Sequence, residues 1–347
     1  MAMRQGAVRI AVFDSKAYDR RFLDQANSHF QHQLTYFESP LDLSTAVLAV
    51  GFPAICVFVN DELDAVVLKQ LAARGTRIVA LRCAGYNNVD LEAAGKLGII
   101  VVRVPAYSPH AVAEFTIGLM LALDRHIHRA WARVRENNFA LEGLIGRNLF
   151  GRTVGVIGTG RIGALVARTF KMGLGCEVIA CDIAPDAALV AAGIRYVSAQ
   201  ELIAQADIIT LHCPLTPETH HIIDASTIDA AKPGVMIVNT SRGALIDTRA
   251  LIDGLKSHKI GSVALDVYEQ EADLFFKDLS SEIIDDDVFQ RLLTFPNVLV
   301  TGHQAFLTDE ALTAIAETTL QSISDAIVGK PLRNRIGAEY AASASHT

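Results

Sequence analysis

One stretch, Gly158-Thr159-Gly160-Arg161-Ile162-Gly163, constrains this chain more than any other. It follows the apolar run Thr153-Val154-Gly155-Val156-Ile157 and opens a helical pattern from Ala164 to Phe170. The next apolar run, Val178-Ile179-Ala180-Cys181, closes on Asp182, 19 residues past the last glycine. Strand, glycine turn, helix, strand and acid, in that order, describe a βαβ unit that binds a dinucleotide. Gly158 permits the tight turn, Gly160 lets backbone approach a pyrophosphate, and Gly163 lets the helix pack on the strand. The unpaired N–H groups around Arg161 and Ile162, at the helix start, then face the phosphates. Asp182 is placed to accept hydrogen bonds from both adenosine ribose hydroxyls and to repel a 2′-phosphate. No basic residue occurs in Ile183-Ala184-Pro185 after it, so NAD is expected rather than NADP. Taken alone, the glycines fit an ordinary loop and Asp182 a strand-end turn; their ordered context favours the cofactor.

Strand-like apolar runs alternate with helical patterns almost throughout, which implies an α/β fold with mostly parallel sheets covered on both faces. Strands are expected near Val8 to Phe13, Ala54 to Val59, Arg77 to Leu81 and Ile99 to Arg103, before a long amphipathic stretch from about Pro109 to Glu136. A second series runs Val154 to Ile157, Val178 to Cys181, Ile208 to His212, Met236 to Asn239, Ser262 to Val267 and Val298 to Thr301. A chain of 347 residues exceeds the ~250 to 300 over which a single core keeps growing. Two doubly wound parallel-sheet domains are therefore expected. The final helix, about Thr308 to Val328, follows the last strand of the cofactor sheet. If it returns to the first sheet, a substrate domain of residues 1–107 and 306–332 is discontinuous around an NAD-binding domain of residues 108–305. Residues 333–347 then form a flexible tail, and a cleft between the domains is the expected binding site.

A net charge of −7 and no basic run of five argue against a nucleic-acid surface. No uninterrupted apolar segment approaches the ~18 residues a membrane span needs. The beginning, Met1-Ala2-Met3-Arg4-Gln5-Gly6, lacks an apolar signal core, so a cytoplasmic protein is expected. Five cysteines with no CxxC pair read as small buried hydrophobes in a reducing compartment. Eleven histidines include no HExxH; His126 and His128 would lie on different faces of a helix, and His220 and His221 are adjacent in a loop-like stretch. No metal is expected.

Three chemical groups lie where parallel strands end, which is where open α/β sheets bind ligands. Arg242 follows the strand ending at Val238 and Asn239, and its guanidinium is suited to hold a carboxylate through two hydrogen bonds and polarise a neighbouring carbonyl. Glu271 lies beyond Ala264-Leu265-Asp266-Val267, and His303 beyond Val298-Leu299-Val300-Thr301. A histidine paired with a carboxylate supplies a proton donor whose charged form is stabilised, as carbonyl reduction by hydride requires. Singly, Arg242 reads equally as a surface ion-pair partner, Glu271 as part of an acidic loop, and His303 as a core histidine. Three such strand ends after a dinucleotide fold favour a reaction centre.

Gly-Thr-Gly-Arg-Ile-Gly (158–163), His-Cys-Pro-Leu-Thr-Pro-Glu-Thr (212–219), Val-Asn-Thr-Ser-Arg-Gly-Ala-Leu-Ile-Asp (238–247), Leu-Asp-Val-Tyr-Glu (265–269) and Thr-Gly-His-Gln-Ala-Phe (301–306) occur in this order. Together they resemble the D-isomer-specific 2-hydroxyacid dehydrogenases from about residue 8 to 332. Leu-Arg-Cys-Ala-Gly-Tyr-Asn-Asn-Val-Asp (81–90), Arg-Val-Pro-Ala-Tyr-Ser-Pro (103–109) and Asp-Leu-Phe-Phe (273–276) resemble the fermentative branch that makes D-lactate. Ala272 after Glu271 and Gln304 after His303 depart from many relatives, a departure this branch shares. The resemblance implies a Rossmann-type NAD domain plus a discontinuous flavodoxin-like substrate domain, with Arg242, Glu271 and His303 as catalytic trio. It implies cofactor contacts at Arg161, Ile162, Asp182, Cys213, Pro214, Thr219, Thr240, Ser241 and Asp266. Of these, Cys213 would act through its backbone and Asp266 on the nicotinamide amide. Substrate contacts follow at the Ala84 and Gly85 N–H groups and at Tyr107 and Phe306, although Tyr107 also reads as a hinge-packing aromatic.

The activity implied is NADH-dependent reduction of pyruvate to D-lactate. Another short 2-oxo acid (hydroxypyruvate, glyoxylate or phenylpyruvate) is the alternative within the class, and a non-enzymatic NADH-sensing protein the alternative outside it. The stretch Ala111 to Leu123 is apolar on more than one face, which suits either an interdomain core helix or one buried against a second subunit. The resemblance tips the reading to a homodimer, or a dimer of dimers.

Overall fold

The structure is a computed structural model that describes residues 7–337. Two compact units compose it, one from the chain up to Ser108 together with the chain from Leu307 onward, the other from Pro109–Phe306. The first unit opens with β1 (Arg9–Val12), α1 (Ala17–Phe30), β2 (Gln33–Tyr36), β3 (Ala54–Val57), α2 (Ala65–Ala73), β4 (Ile78–Leu81), α3 (Leu91–Lys96) and β5 (Ile100–Val102). Asp64 and Asp90 cap α2 and α3 by accepting hydrogen bonds from first-turn N–H groups, as short polar N-caps do. The strands pair in the order β2-β1-β3-β4-β5, all parallel. This is the flavodoxin-like winding.

The second unit begins with α4 (Pro109–Asp124) and α5 (Ile127–Arg135). It continues through β6 (Thr153–Ile157), α6 (Arg161–Arg168), β7 (Glu177–Cys181), α7 (Ala187–Ala191), β8 (Arg195–Tyr196), α8 (Ala199–Gln205) and β9 (Ile208–Leu211). It ends with α9 (Ala225–Ala230), β10 (Val235–Asn239), α10 (Thr248–Lys256), β11 (Ile260–Leu265), α11 (Asp287–Leu293) and β12 (Val298–Val300). The parallel order β12-β11-β10-β9-β6-β7-β8 reverses direction between β6 and β9, the Rossmann switch point. Residues on the two faces of this sheet form separate cores, one around Ile157, Ile209 and Ile237 and one around Val154, Val156 and Phe170. That is why its central strands carry almost no polar side chains.

The chain then rejoins the first unit as α12 (Asp309–Ile327), capped by the Thr308 hydroxyl and packed along α1, and ends in β13 (Arg335–Ile336). β13 pairs antiparallel with β5, Arg335 opposite Val102 and Ile336 opposite Val101. Burial of Ile336 and the bond from the Arg103 N–H to the Asn334 carbonyl (3.0 Å) hold it there. The beginning of the expected loose tail is therefore a strand; residues 338–347 of that tail lie outside the described residues.

The long amphipathic stretch from about Pro109 to Glu136 is two helices, α4 and α5. Between α4 and α5, His126 adopts a left-handed backbone (φ 52°), and buried Asp124 accepts bonds from the Arg147 N–H (3.0 Å) and its Nε (2.9 Å). On α4, Phe115, Ile117 and Leu121 are only partly buried, packed against the core of their own unit. Ala113, Leu119, Met120 and Leu123 are buried in the core of their own unit with Val154 and Phe170. The exposed large apolar side chains of this region are Ile127, Trp131 and Val134 on α5, then Phe139, Leu141, Ile145 and Phe150.

Candidate active site

Gly158 has φ 88°, and a Cβ on it would lie 2.5 Å from the Cys213 nitrogen; one on Gly163 would lie 1.9 Å from the Gly158 carbonyl oxygen. These two glycines are required by the turn itself and by the approach of the β9 loop. Gly160, the N-cap of α6, is different, because a Cβ there would meet nothing within 4 Å. A glycine with no internal reason at a helix N-terminus fits the close approach of a pyrophosphate to backbone. Arg161 and Ile162 follow it in the first turn.

At the end of β7, Asp182 accepts from the Thr159 N–H (2.5 Å) and hydroxyl (3.1 Å) on one oxygen and from the Ala184 N–H (2.9 Å) on the other. Burial would raise this carboxyl, but the bonds from Ala184 and Thr159 outweigh it and hold the group below its usual range. The Thr159 hydroxyl in turn accepts from the Tyr196 hydroxyl (2.9 Å), which accepts from the Asp186 N–H (3.0 Å). Sequence reasoning missed Thr159 and Tyr196. The first is a variable place inside the fingerprint, and the second lies on a two-residue strand with no periodic signal.

Across the switch point, the loops after β9 and β10 are tied together. The Ser241 hydroxyl donates to the Cys213 carbonyl (2.8 Å), and the Thr219 hydroxyl to the Pro214 carbonyl (2.7 Å). Thr240 exchanges a bond with Thr116 (2.8 Å). Burial pushes the Cys213 thiol up to about 11, so it is not a thiolate nucleophile near neutral pH. Fully buried Asn239, also missed, shapes the turn by donating to the Arg242 carbonyl (2.7 Å) and accepting from the Ser241 N–H (3.0 Å). Arg242 spends one N–H on the Ser241 carbonyl (2.7 Å) and has no ion-pair partner among the described residues. Gly243 must be glycine, since a Cβ there would come within 2.1 Å of the Tyr268 carbonyl.

His303 and Glu271 meet although 32 residues separate them: Nδ1 lies 2.8 Å from Oε1, with both side chains about a quarter exposed. The second Glu271 oxygen accepts from the Tyr268 N–H (3.0 Å), which fixes the carboxylate. Phe276 packs beside the imidazole, ring centroids 5.7 Å apart. His303 has a left-handed backbone (φ 55°), which costs a non-glycine residue energy. Asp266 holds that segment in place. It is fully buried and accepts from the Thr301 hydroxyl (2.6 Å), the Gln304 N–H (2.9 Å) and the Ala305 N–H (2.9 Å). The bonds shown by Asp266 are thus to the backbone and hydroxyl around His303, beside the nicotinamide contact expected of it. Phe306, three residues past His303, is buried.

Ala84, Gly85 and Tyr107 belong to the first unit, after β4 and β5. There the Ala84 carbonyl accepts from Arg103 Nη1 (2.7 Å), and buried Arg82 anchors the loop by donating to Asp19 (3.1 Å) and the Asp14 carbonyl (2.7 Å).

Residues 117–305 match the family model described as D-isomer specific 2-hydroxyacid dehydrogenase, NAD binding domain. The chain is 56% identical over 318 residues to 2-hydroxyacid dehydrogenase homolog 1 of Schizosaccharomyces pombe, covering 92% of this chain and 96% of that one. It is 51% identical over 329 residues to the D-lactate dehydrogenase of Escherichia coli, covering 95% and 100%. Among solved structures it resembles the pyruvate reductase of Chlamydomonas reinhardtii, with TM-score 0.92 and 46% identity over 96% of this chain and 100% of that one. The fold, the glycine turn and these likenesses agree: the chain belongs to the D-isomer specific 2-hydroxyacid dehydrogenase family, and its cofactor is NAD(H).

Proposed function

We propose that this oxidoreductase reduces pyruvate to D-lactate. The observation that carries the reading is the His303–Glu271 pair at 2.8 Å, at the strand end of a unit that also carries Arg242, whose guanidinium has no ion-pair partner among the described residues. NADH supplies the hydride when bound. With Nδ1 turned to Glu271, Nε2 is the ring nitrogen left to carry a proton to the substrate oxygen, and the carboxylate fixes the ring's orientation. Among the described residues Arg242 spends one of its five N–H donors, which leaves enough to take a carboxylate through two bonds and draw charge from the neighbouring carbonyl. Arg161, Ile162 and the glycines would hold the pyrophosphate, Asp182 the adenosine ribose. Cys213, Pro214, Thr219, Thr240, Ser241 and Asp266 fill the remaining cofactor roles in this reading. The names of relatives support the choice of pyruvate.

The test is a kinetic panel that follows NADH absorbance with pyruvate, hydroxypyruvate, glyoxylate and phenylpyruvate. Pyruvate should give the highest kcat/KM. A clear preference for another acid would move the substrate and leave the chemistry in place, whereas no oxidation with any of them would remove the reaction.

For partners, we infer a second copy of this chain, on the exposed apolar side chains of α5 and residues 139–150. The five cysteines are free, which suits the cytoplasm, and among the described residues no helix is long and apolar enough to cross a membrane.

A further inference from the structure

Away from the His303–Glu271 pair, the loops after β9 and β11 bring two histidines and a carboxylate together. His221 Nε2 lies 2.7 Å from Glu269 Oε1. The His220 ring stacks on the His221 ring, centroids 3.9 Å apart at 28°. One ligand atom from each of His220, His221 and Glu269 lies within 4.8 Å of the other two. The group is built rather than incidental. The second Glu269 oxygen accepts from the Thr248 hydroxyl (3.0 Å) and N–H (3.4 Å) at the start of α10, the outer support that a ligating carboxylate uses. His221 adopts a left-handed backbone (φ 52°) while its N–H donates to the Ala244 carbonyl (2.9 Å), so its loop is latched to the segment after Arg242.

We propose that His220, His221 and Glu269 form a binding site for a zinc-type transition-metal dication, and that its occupancy lowers the use of pyruvate. Two imidazoles and one carboxylate are the ligand set of zinc and its neighbours rather than of magnesium or calcium. Tetrahedral zinc with bonds of ~2.1 Å needs ligand atoms roughly 3.4 Å apart. The His221–Glu269 pair must open slightly and the exposed His220 ring must turn inward. The ion takes the Nε2 lone pair of His221, so the ligating ring is the neutral tautomer with its one proton on Nδ1, and the Glu269 oxygen that faced Nε2 turns to the ion. Solvent completes the coordination. Coupling to the reaction follows from contact: Gly243, next to Arg242, already abuts the backbone of Tyr268 and Glu269, and Glu269 is two residues from Glu271. Drawing Glu269 toward a metal therefore shifts the loops carrying both groups.

Binding is tested independently of activity, by titrating the metal-stripped full chain with Zn2+ alone in competition with a chromogenic chelator. One Zn2+ per chain is expected. His220→Gln and Glu269→Gln should each weaken it by roughly tenfold or more, and His258→Gln, at an exposed histidine elsewhere, should not. No saturable binding to wild type, or equal binding to His220→Gln, overturns the site. The effect on turnover rests on the pyruvate reading: Zn2+ should lower kcat/KM for pyruvate, reversibly with a chelator. His220→Gln should abolish that effect while matching wild type without metal. Binding without any change in pyruvate kinetics overturns the coupling. Failure to reduce pyruvate at all would count against the proposed function and leave the binding result standing.

Discussion

At Asp182 the carboxylate is oriented by hydroxyls in series, Tyr196 to Thr159 to Asp182, with spacings of 2.9 and 3.1 Å. Each link is a neutral hydrogen bond or one to a charged group, worth about 1 to 2 kcal/mol. Tyr196→Phe removes the outer donor and should raise the KM for NADH about fivefold with kcat nearly unchanged. Asp182→Ala should weaken NADH further and narrow the preference over NADPH, because it deletes both an acceptor and a repulsive charge. Steady-state kinetics with both cofactors decide this; a Tyr196→Phe enzyme that loses kcat instead would make Tyr196 a structural residue only. Arg242→Lys keeps the charge but loses the planar two-bond fit. Loss of a charged hydrogen bond, about 1.5 to 3 kcal/mol, predicts a fall in kcat/KM for pyruvate of roughly ten- to a hundredfold. Unchanged pyruvate kinetics would take Arg242 out of the site. The difference in what the sequence disclosed is physical. Arg242, Glu271 and His303 could be found because each follows an apolar strand whose end is a known place for ligands. Thr159, Tyr196 and Asn239 act through partners that only the folded chain brings within reach, as Tyr196 does with Thr159 across 37 positions.

Among the elements, buried strands were legible because both faces are covered and the runs are continuously apolar: β3, β4 and β9 have every residue buried. The edge strands β2 and β8 were not, although β12, at the other edge of the second sheet, was. β2 has no fully buried residue and β8 has two residues in all, so neither leaves a pattern. The α4–α5 break escaped notice because no proline or glycine marks it; a tertiary contact, Asp124 with Arg147, makes it. One such contact gives a pH prediction. His32, just before β2, is buried, accepts from the Val8 N–H at Nδ1 (3.3 Å) and meets the Ser324 hydroxyl of α12 at Nε2 (2.9 Å). Burial lowers its affinity for a proton. The unfolded imidazole, with an ordinary pKa near ~6.5, takes up a proton that the folded one resists. Stability is therefore complete above that value and lost as pH falls toward the folded pKa, at no more than about 1.4 kcal/mol per pH unit. Denaturant melts of His32→Gln should show a shallower acid loss than wild type as pH falls below about 6.5. Parallel acid profiles would mean that His32 does not contribute.

Over the whole molecule, the two sheet orders and the return of α12 to the first unit account for the fold; what the chain does with its remaining apolar surface is a separate matter. Ile127, Trp131 and Val134 recur at intervals of four and three along α5, one face of a helix, and α5 buries none of its residues. The face is nonetheless held in shape, with the Arg135 guanidinium 4.9 Å from the Trp131 ring centroid and Arg133 Nη1 donating to the Glu142 carbonyl (2.7 Å). Trp131, Phe139, Leu141, Ile145 and Phe150 are each more than 60% exposed, so this stretch exposes more large apolar side chains than the scattered single ones of ordinary surfaces. The second copy proposed above would cover it. Sedimentation velocity should then give wild type at twice the chain mass or a further multiple. The pair Trp131→Glu with Phe139→Glu should shift the protein toward the single-chain mass without unfolding it, since neither side chain is part of a core. Wild type sedimenting as a single chain across its soluble range would refute the assembly. A double variant as oligomeric as wild type would place the contact on another face.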